Sequence, residues 1–264
     1  MECHCFARKK NEIKSNKKQT KDIMNFTQFL AIKSHKNQDN MNFTQFLALT
    51  TDEEFLNVTD LNFENQNLTQ LPENINKCVN LHTLYCGHNQ IQQFGDSLNN
   101  CTNLQSLYCN NNQIQHFGES LHQCTNLKEL YCNNNQIQSF DDSLMNCLEL
   151  EIIDCSKNQL TSLENAFTNC RNLKQMMCSD NQLTSLENVL HNCPQLYLLF
   201  CDGNEIKSFE NTFENCSDDV DWIYSGNKSL TEIYGEHGIR STNGELTIAK
   251  IRAHHQQYYT PVLK

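Results

Sequence analysis

Three columns of residues repeat along this chain at a common interval of 23. Cysteines stand at 86, 109, 132, 155, 178 and 201, and a second set at 78, 101, 124, 147, 170, 193 and 216. Asn89, Asn112, Asn135, Asn158, Asn181, Asn204 and Asn227 keep the same step. A unit this short cannot enclose a core of its own, so successive units must stack and bury their apolar positions against one another. Thirteen of the fifteen cysteines are thereby positions in a repeat.

Residues 81-103, LHTLYCGHNQIQQFGDSLNNCTN, show the unit as L-x-x-L-x-C-x-x-N-x-I-x-x-F-x-x-x-L-x-x-C. Leu84 and Cys86 alternate at period two with Thr83, Tyr85 and Gly87, which predicts a short strand with one face buried. Ile91, Phe94, Leu98 and Cys101 then follow at three- and four-residue spacings that suit an irregular or helical return path. The unit resembles the leucine-rich repeat, L-x-x-L-x-L-x-x-N-x-L, with Cys at the third strand anchor. The resemblance implies an α/β leucine-rich-repeat solenoid, with a curved parallel sheet on its concave face, an irregular or helical convex side, and helical caps.

The Asn column has a physical reason at the bend after each strand. A short side chain carrying both a donor and an acceptor can satisfy backbone groups of its own and the next coil where the chain leaves the sheet. The ladder position of the first coil holds Gln66 instead. Residues 58-230 hold about eight coils.

The ends differ in character. Residues 1-40 carry nine Lys and Arg against four Asp and Glu, net +5, while the remainder carries -16. They are expected to be a basic, flexible arm. The octamer MNFTQFLA occurs at 24-31 and again at 41-48. Phe43, Phe46 and Leu47, with a helix start at Thr51-Asp52-Glu53-Glu54, make 41-57 an N-terminal helical cap. Residues 231-264 are the expected C-terminal cap, with a terminal helix within 244-259.

Catalytic and metal chemistry find little footing. No C-x-x-C pair occurs, and thiols spaced by 23 form parallel columns, not tetrahedral clusters, so they are expected to pack as small hydrophobes. Cys3-His4-Cys5 and His254-His255 are weak as ligand sets. The phosphate-binding, zinc-protease and serine-nucleophile motifs are missing, so the expectation is a protein that is not an enzyme and takes no cofactor, metal or small-molecule substrate. Neither a signal peptide nor a long apolar run is evident, so a cytoplasmic location, reduced thiols and a monomer are expected.

The strand positions between the buried anchors should face outward. One column runs Asn62, Tyr85, Tyr108, Tyr131, Asp154, Met177, Phe200, Ile223, and its neighbour runs Asp60, Thr83, Ser106, Glu129, Ile152, Gln175, Leu198, Asp221. Tyr85, Tyr108 and Tyr131 form a ladder on the first half, and Ile152, Met177, Leu198 and Phe200 an apolar group on the second, with Asp154 between. Left in water, such a row has the composition of a binding surface. Leucine-rich repeats mostly serve protein recognition, which implies a non-catalytic adaptor, scaffold or inhibitor gripping a protein on its concave face, where a net acidic rim would suit a basic partner. The alternative is recruitment of nucleic acid or an anionic membrane through the lysines of the basic arm, with the solenoid as carrier.

Overall fold

The computed structural model describes residues 41-209, 212, 213, 215, 216, 220-224 and 226-230. The basic arm with its octamer and Cys3-His4-Cys5, and the expected C-terminal cap with His254-His255, lie outside the described residues.

One parallel sheet runs through the described chain in simple sequence order. Eight strands have three residues each: β2 Asp60–Asn62, β3 Thr83–Tyr85, β4 Ser106–Tyr108, β5 Glu129–Tyr131, β6 Ile152–Asp154, β7 Gln175–Met177, β8 Leu198–Phe200 and β9 Asp221–Ile223. The register is that of the repeat: Leu84 pairs with Leu107, Leu107 with Leu130, and Leu130 with Ile153. Seven turns of chain separate these strands, forming the solenoid that the period requires. A two-residue strand, β1 Met41–Asn42, adds a ninth member by pairing with Leu61 and Asn62. The return paths are mostly turns; a 3-10 helix at Glu73–Lys77 is the exception among the described coils.

Residues 43-57 hold two short helices, α1 Phe43–Leu47 and α2 Asp52–Leu56. Each begins with a reciprocal capping box, Asn42 with Gln45 and Thr51 with Glu54, which satisfies helix-end amides that a five-residue helix cannot satisfy itself. Their apolar faces close the first coil. Phe63 occupies the position held by Cys in later coils, and meets Phe43 and Phe46 edge-on at 5.2 Å. The larger ring fills space that a neighbouring coil fills elsewhere. Tyr224, fully buried, makes the same replacement in the coil of β9.

Inside, the unit from 81 to 103 buries Leu81, Leu84, Cys86, Ile91, Phe94, Leu98 and Cys101 to 3% exposure or less. At roughly 1.5-3 kcal/mol for each large apolar side chain, this repeated burial is the main stabilising term. The thirteen cysteines from 78 to 216 are all buried, and none of them forms a disulfide among the described residues.

The Asn column ties coils together by a shared-acceptor arrangement. Asn135 Nδ2 donates to Cys132 O of its own coil and to Cys109 O of the preceding one, each at 3.0 Å. Its Oδ1 accepts from the Ile114 amide, also at 3.0 Å. Asn112, Asn158, Asn181 and Asn204 repeat this geometry. The linked coil is therefore the preceding one, not the following one expected from sequence, because the side chain points back along the stack. Two further asparagine rows lie at the return paths. Asn80, Asn103, Asn126 and Asn172 donate to the carbonyls of Leu56, Val79, Thr102 and Leu148, and Asn146, Asn169 and Asn192 to those of His122, Met145 and Thr168. Most of these bonds lie at the surface and link the return paths of adjacent coils.

Candidate functional site

The outward face of the sheet is built from the strand residues between the buried anchors and from the turn that follows each strand. That turn places Asn65, His88, Asn111, Asn134, Lys157, Asp180, Gly203 and Gly226 in the left-handed region, with φ between 53° and 76°. Asn, Asp and Gly tolerate this conformation best, which explains their prevalence in the column.

The tyrosine ladder is not the exposed row expected from sequence. Tyr85, Tyr108 and Tyr131 retain 5%, 7% and 4% of their surface. The cause is stacking: Tyr85 lies 4.6 Å from Tyr108 at 12°, and Tyr108 lies 4.7 Å from Tyr131 at 7°. One strand spacing equals the preferred separation of offset rings, so three in-register tyrosines cover one another. The Tyr108 hydroxyl donates to Glu129 Oε2 at 2.8 Å, drawing the ring across the sheet. Burial and the neighbouring carboxylate push the Tyr108 phenol well above its usual value, burial does the same for Tyr131, and burial raises the Tyr85 phenol. The ladder is thus a supporting element of the face. Met177 and Asp154 are likewise buried, with Asp154 8% exposed.

Asp154 ends the tyrosine row. Its Oδ1 accepts from the Ser156 amide at 3.0 Å, and burial raises the carboxyl above its usual value despite that bond. The ion pairs among the described residues are Lys77–Asp52 and Lys174–Glu151, so Asp154 joins neither.

The apolar surface left accessible lies over β6 to β8, whereas the partly exposed strand positions of β3 to β5 are the polar Thr83, Ser106 and Glu129. Ile152, Leu198 and Phe200 are half-buried there, and Tyr197 is 48% exposed. Tyr197 sits one residue before β8, beside Gln175, whose side-chain amide donates to its hydroxyl. Sequence inspection of the two central columns missed it. The signal was present in the third column, His82, Gln105, Lys128, Glu151, Lys174, Tyr197, where one aromatic follows five polar residues.

Beyond these apolar groups, at the ends of the strands, stand Asp180 and Asp202. Gly203 has no Cβ to obstruct the Asp180 carboxylate, which lies against it. Ser179 Oγ donates to Asp202 Oδ1. Burial first, and Asp180 after it, raise the Asp202 carboxyl. Lys157 is the cation of this edge, whereas Lys128 and the paired Lys174 lie at the opposite edge.

Nucleophilic chemistry is suppressed where it is present. Burial raises the thiols of Cys124, Cys147 and Cys170 to about 12 and that of Cys78 to about 11, far from the range in which a thiolate forms. Among the described residues no group of three or more His, Cys, Asp or Glu is placed to hold a metal ion. No described helix is long and apolar enough to cross a membrane.

Known proteins share this architecture. A family model described as leucine-rich repeats (2 copies) matches residues 102–144 and 125–168. A search of curated sequences finds no match. Among solved structures, a leucine-rich-repeat protein of Leptospira interrogans aligns with a TM-score of 0.61 at 20% identity, covering 74% of this chain and 50% of its own. The TLR13-ssRNA13 complex gives 0.54 at 20% identity, over 68% and 27%. The LRIM1/APL1C complex gives 0.56 at 21%, over 60% and 30%. The chain thus spans half or less of the length of these neighbours, and at such identities the likeness shows the fold alone. Taken with the 23-residue register of strands, buried anchors and asparagines, the matched repeats show that residues 102–168 carry leucine-rich repeats and that the chain has the leucine-rich-repeat fold.

Proposed function

We propose that the chain is a non-catalytic interaction module that binds a protein partner across the outward face of its sheet, as an adaptor, scaffold or inhibitor. The family is commonly a protein-interaction module and typically non-enzymatic. One observation carries the proposal for this chain: Ile152, Tyr197, Leu198 and Phe200 gather partly exposed on one face of a chain whose mean hydropathy is -0.63. Apolar and aromatic surface gathered in one place and rimmed by charge has the make-up of an interface centre. The stacked tyrosines of β3 to β5 lie beside it on the same sheet and stiffen that half of the face, which limits the entropy lost when a partner docks. A cytoplasmic setting belongs to the same proposal and is supported by thirteen buried thiols without a disulfide.

The test is capture from an extract of the source organism with wild type and with a Leu198→Asn/Phe200→Asn variant, after both are shown to fold. A specific protein retained by the wild type and lost by the variant is expected. Equal retention by both would place binding elsewhere. Ala substitution of Tyr85, Tyr108 and Tyr131 would be a poor choice, because removing buried rings costs roughly 3-5 kcal/mol each and tests folding instead.

A further inference from the structure

Resting on the sheet-face proposal, the charge distribution around the apolar group says what kind of segment would fit there. Three carboxylates, Asp154, Asp180 and Asp202, occupy the strand-end side of β6 to β8. None belongs to an ion pair among the described residues. Asp180 leans over Gly203 toward the next coil, where Asp202 stands, so two like charges are brought together with only Lys157 nearby in that column. The opposite side of the same strands is different: Glu151 is neutralised by Lys174 at 2.6 Å, and Lys128 is exposed. Between the two sides run Ile152, Leu198 and Phe200.

We infer that this part of the face receives a short linear segment of a partner protein bearing Lys or Arg beside apolar residues. The apolar residues would rest on Ile152, Leu198, Phe200 and Tyr197, and the cation would lie over Asp180 and Asp202 and within reach of Asp154. Like charges held close together gain most from a cation inserted between them, and a partner with acidic residues at that edge would be repelled. The asymmetry also fixes orientation, since a cation at the Lys128 and Lys174 edge meets no net negative charge. Burial raises the carboxyls of Asp154 and Asp202, Lys157 partly offsets this at Asp154, and Asp180 adds to it at Asp202.

The probe is a displayed library of random dodecamer peptides, selected on the full chain. The winners are then measured against Asp180→Asn/Asp202→Asn, which keeps hydrogen-bond acceptors while removing charge, and against Leu198→Asn/Phe200→Asn. Enrichment of Lys or Arg next to apolar residues is expected, with binding weakened about tenfold or more by either variant and by added salt. Peptides that lose binding on the Leu198/Phe200 variant but keep it on the Asp180/Asp202 variant would overturn the cation assignment and leave the sheet-face proposal standing. Peptides indifferent to both variants would overturn both. A selection that yields no binder would overturn the inference that a linear segment suffices. Thermal melts of the two variants close to that of the wild type are required for each comparison; Asp180 is exposed, and Asn at 202 keeps an acceptor for the Ser179 hydroxyl.

Discussion

Replacing Asn112 and Asn135 together by Ala should destabilise the protein by more than the sum of the two single replacements. The reason lies in how the carbonyls are shared. Cys109 O accepts from Asn112 at 3.0 Å and from Asn135 at 3.0 Å, while Cys132 O accepts from Asn135 and Asn158 at the same distance. Removing Asn135 alone therefore leaves both carbonyls with one donor each, and orphans one buried group, the Ile114 amide. That single loss should cost about 1-3 kcal/mol. Removing Asn112 alone similarly orphans the Ile91 amide. Removing both orphans the two amides and also strips Cys109 O of its last side-chain donor. The coupling should be about 1-3 kcal/mol, the cost of one further unsatisfied buried group. Asn112 with Asn181 is the control pair: the two lie three coils apart, share no carbonyl, and should add within about 0.5 kcal/mol. Urea unfolding of wild type, three single variants and two double variants supplies the cycle, with coincidence of fluorescence and circular dichroism checked because stacked repeats need not unfold as one unit. Additive behaviour of the adjacent pair would refute the shared-carbonyl explanation.

Three further outcomes follow from buried ionisable groups. Asp154 has a carboxyl raised by burial, so its ionised form opposes folding and the folded state gains stability as pH falls through that raised value; Asp154→Asn should melt higher than wild type at pH 7, with the difference vanishing below the ordinary carboxyl value of 3.8. A variant that melts lower at pH 7 would show that the charge is compensated. Tyr85, Tyr108 and Tyr131 all have raised phenols, so stability should be intact below pH 10.0 and fall as pH climbs above it; a triple Phe variant keeps the stacking and should show a flatter alkaline decline, measurable by melts across that range. The thirteen cysteines from 78 to 216 should resist an aromatic disulfide reagent at pH 8 until denaturant is added, and labelling of any of them in the native protein, located by mass spectrometry, would contradict their burial.

The fold was legible because each of its constraints repeats. Leu84 and Cys86 mark the buried side of a strand, and the same pair of positions in phase along the chain fixes register as well as topology. The Asn column was legible in role but not in direction, since spacing cannot say whether Asn135 reaches forward or back. The asparagine rows at 80 and 146 were hidden by overlap with the main repeat, although an Asn content of about one residue in seven hinted at more than one ladder. The outward face was the hardest to judge. Alternation shows that Tyr85, Tyr108 and Tyr131 point away from the core, but their exposure depends on contact between neighbouring coils, and three equal rings at one strand spacing seal themselves. Where the side chains change from coil to coil, as from Gln175 to Leu198 or from Lys174 to Tyr197, no such sealing occurs and surface remains.

Site-specific photocrosslinking tests the sheet face most directly. A benzophenone amino acid replaces Tyr197 on the strand face or Met145, 45% exposed on a return path, and each protein is irradiated in extract of the source organism. Binding across β6 to β8 predicts a discrete adduct from position 197 and none from position 145. Adducts from 145 alone, or the same adducts from both, would contradict it.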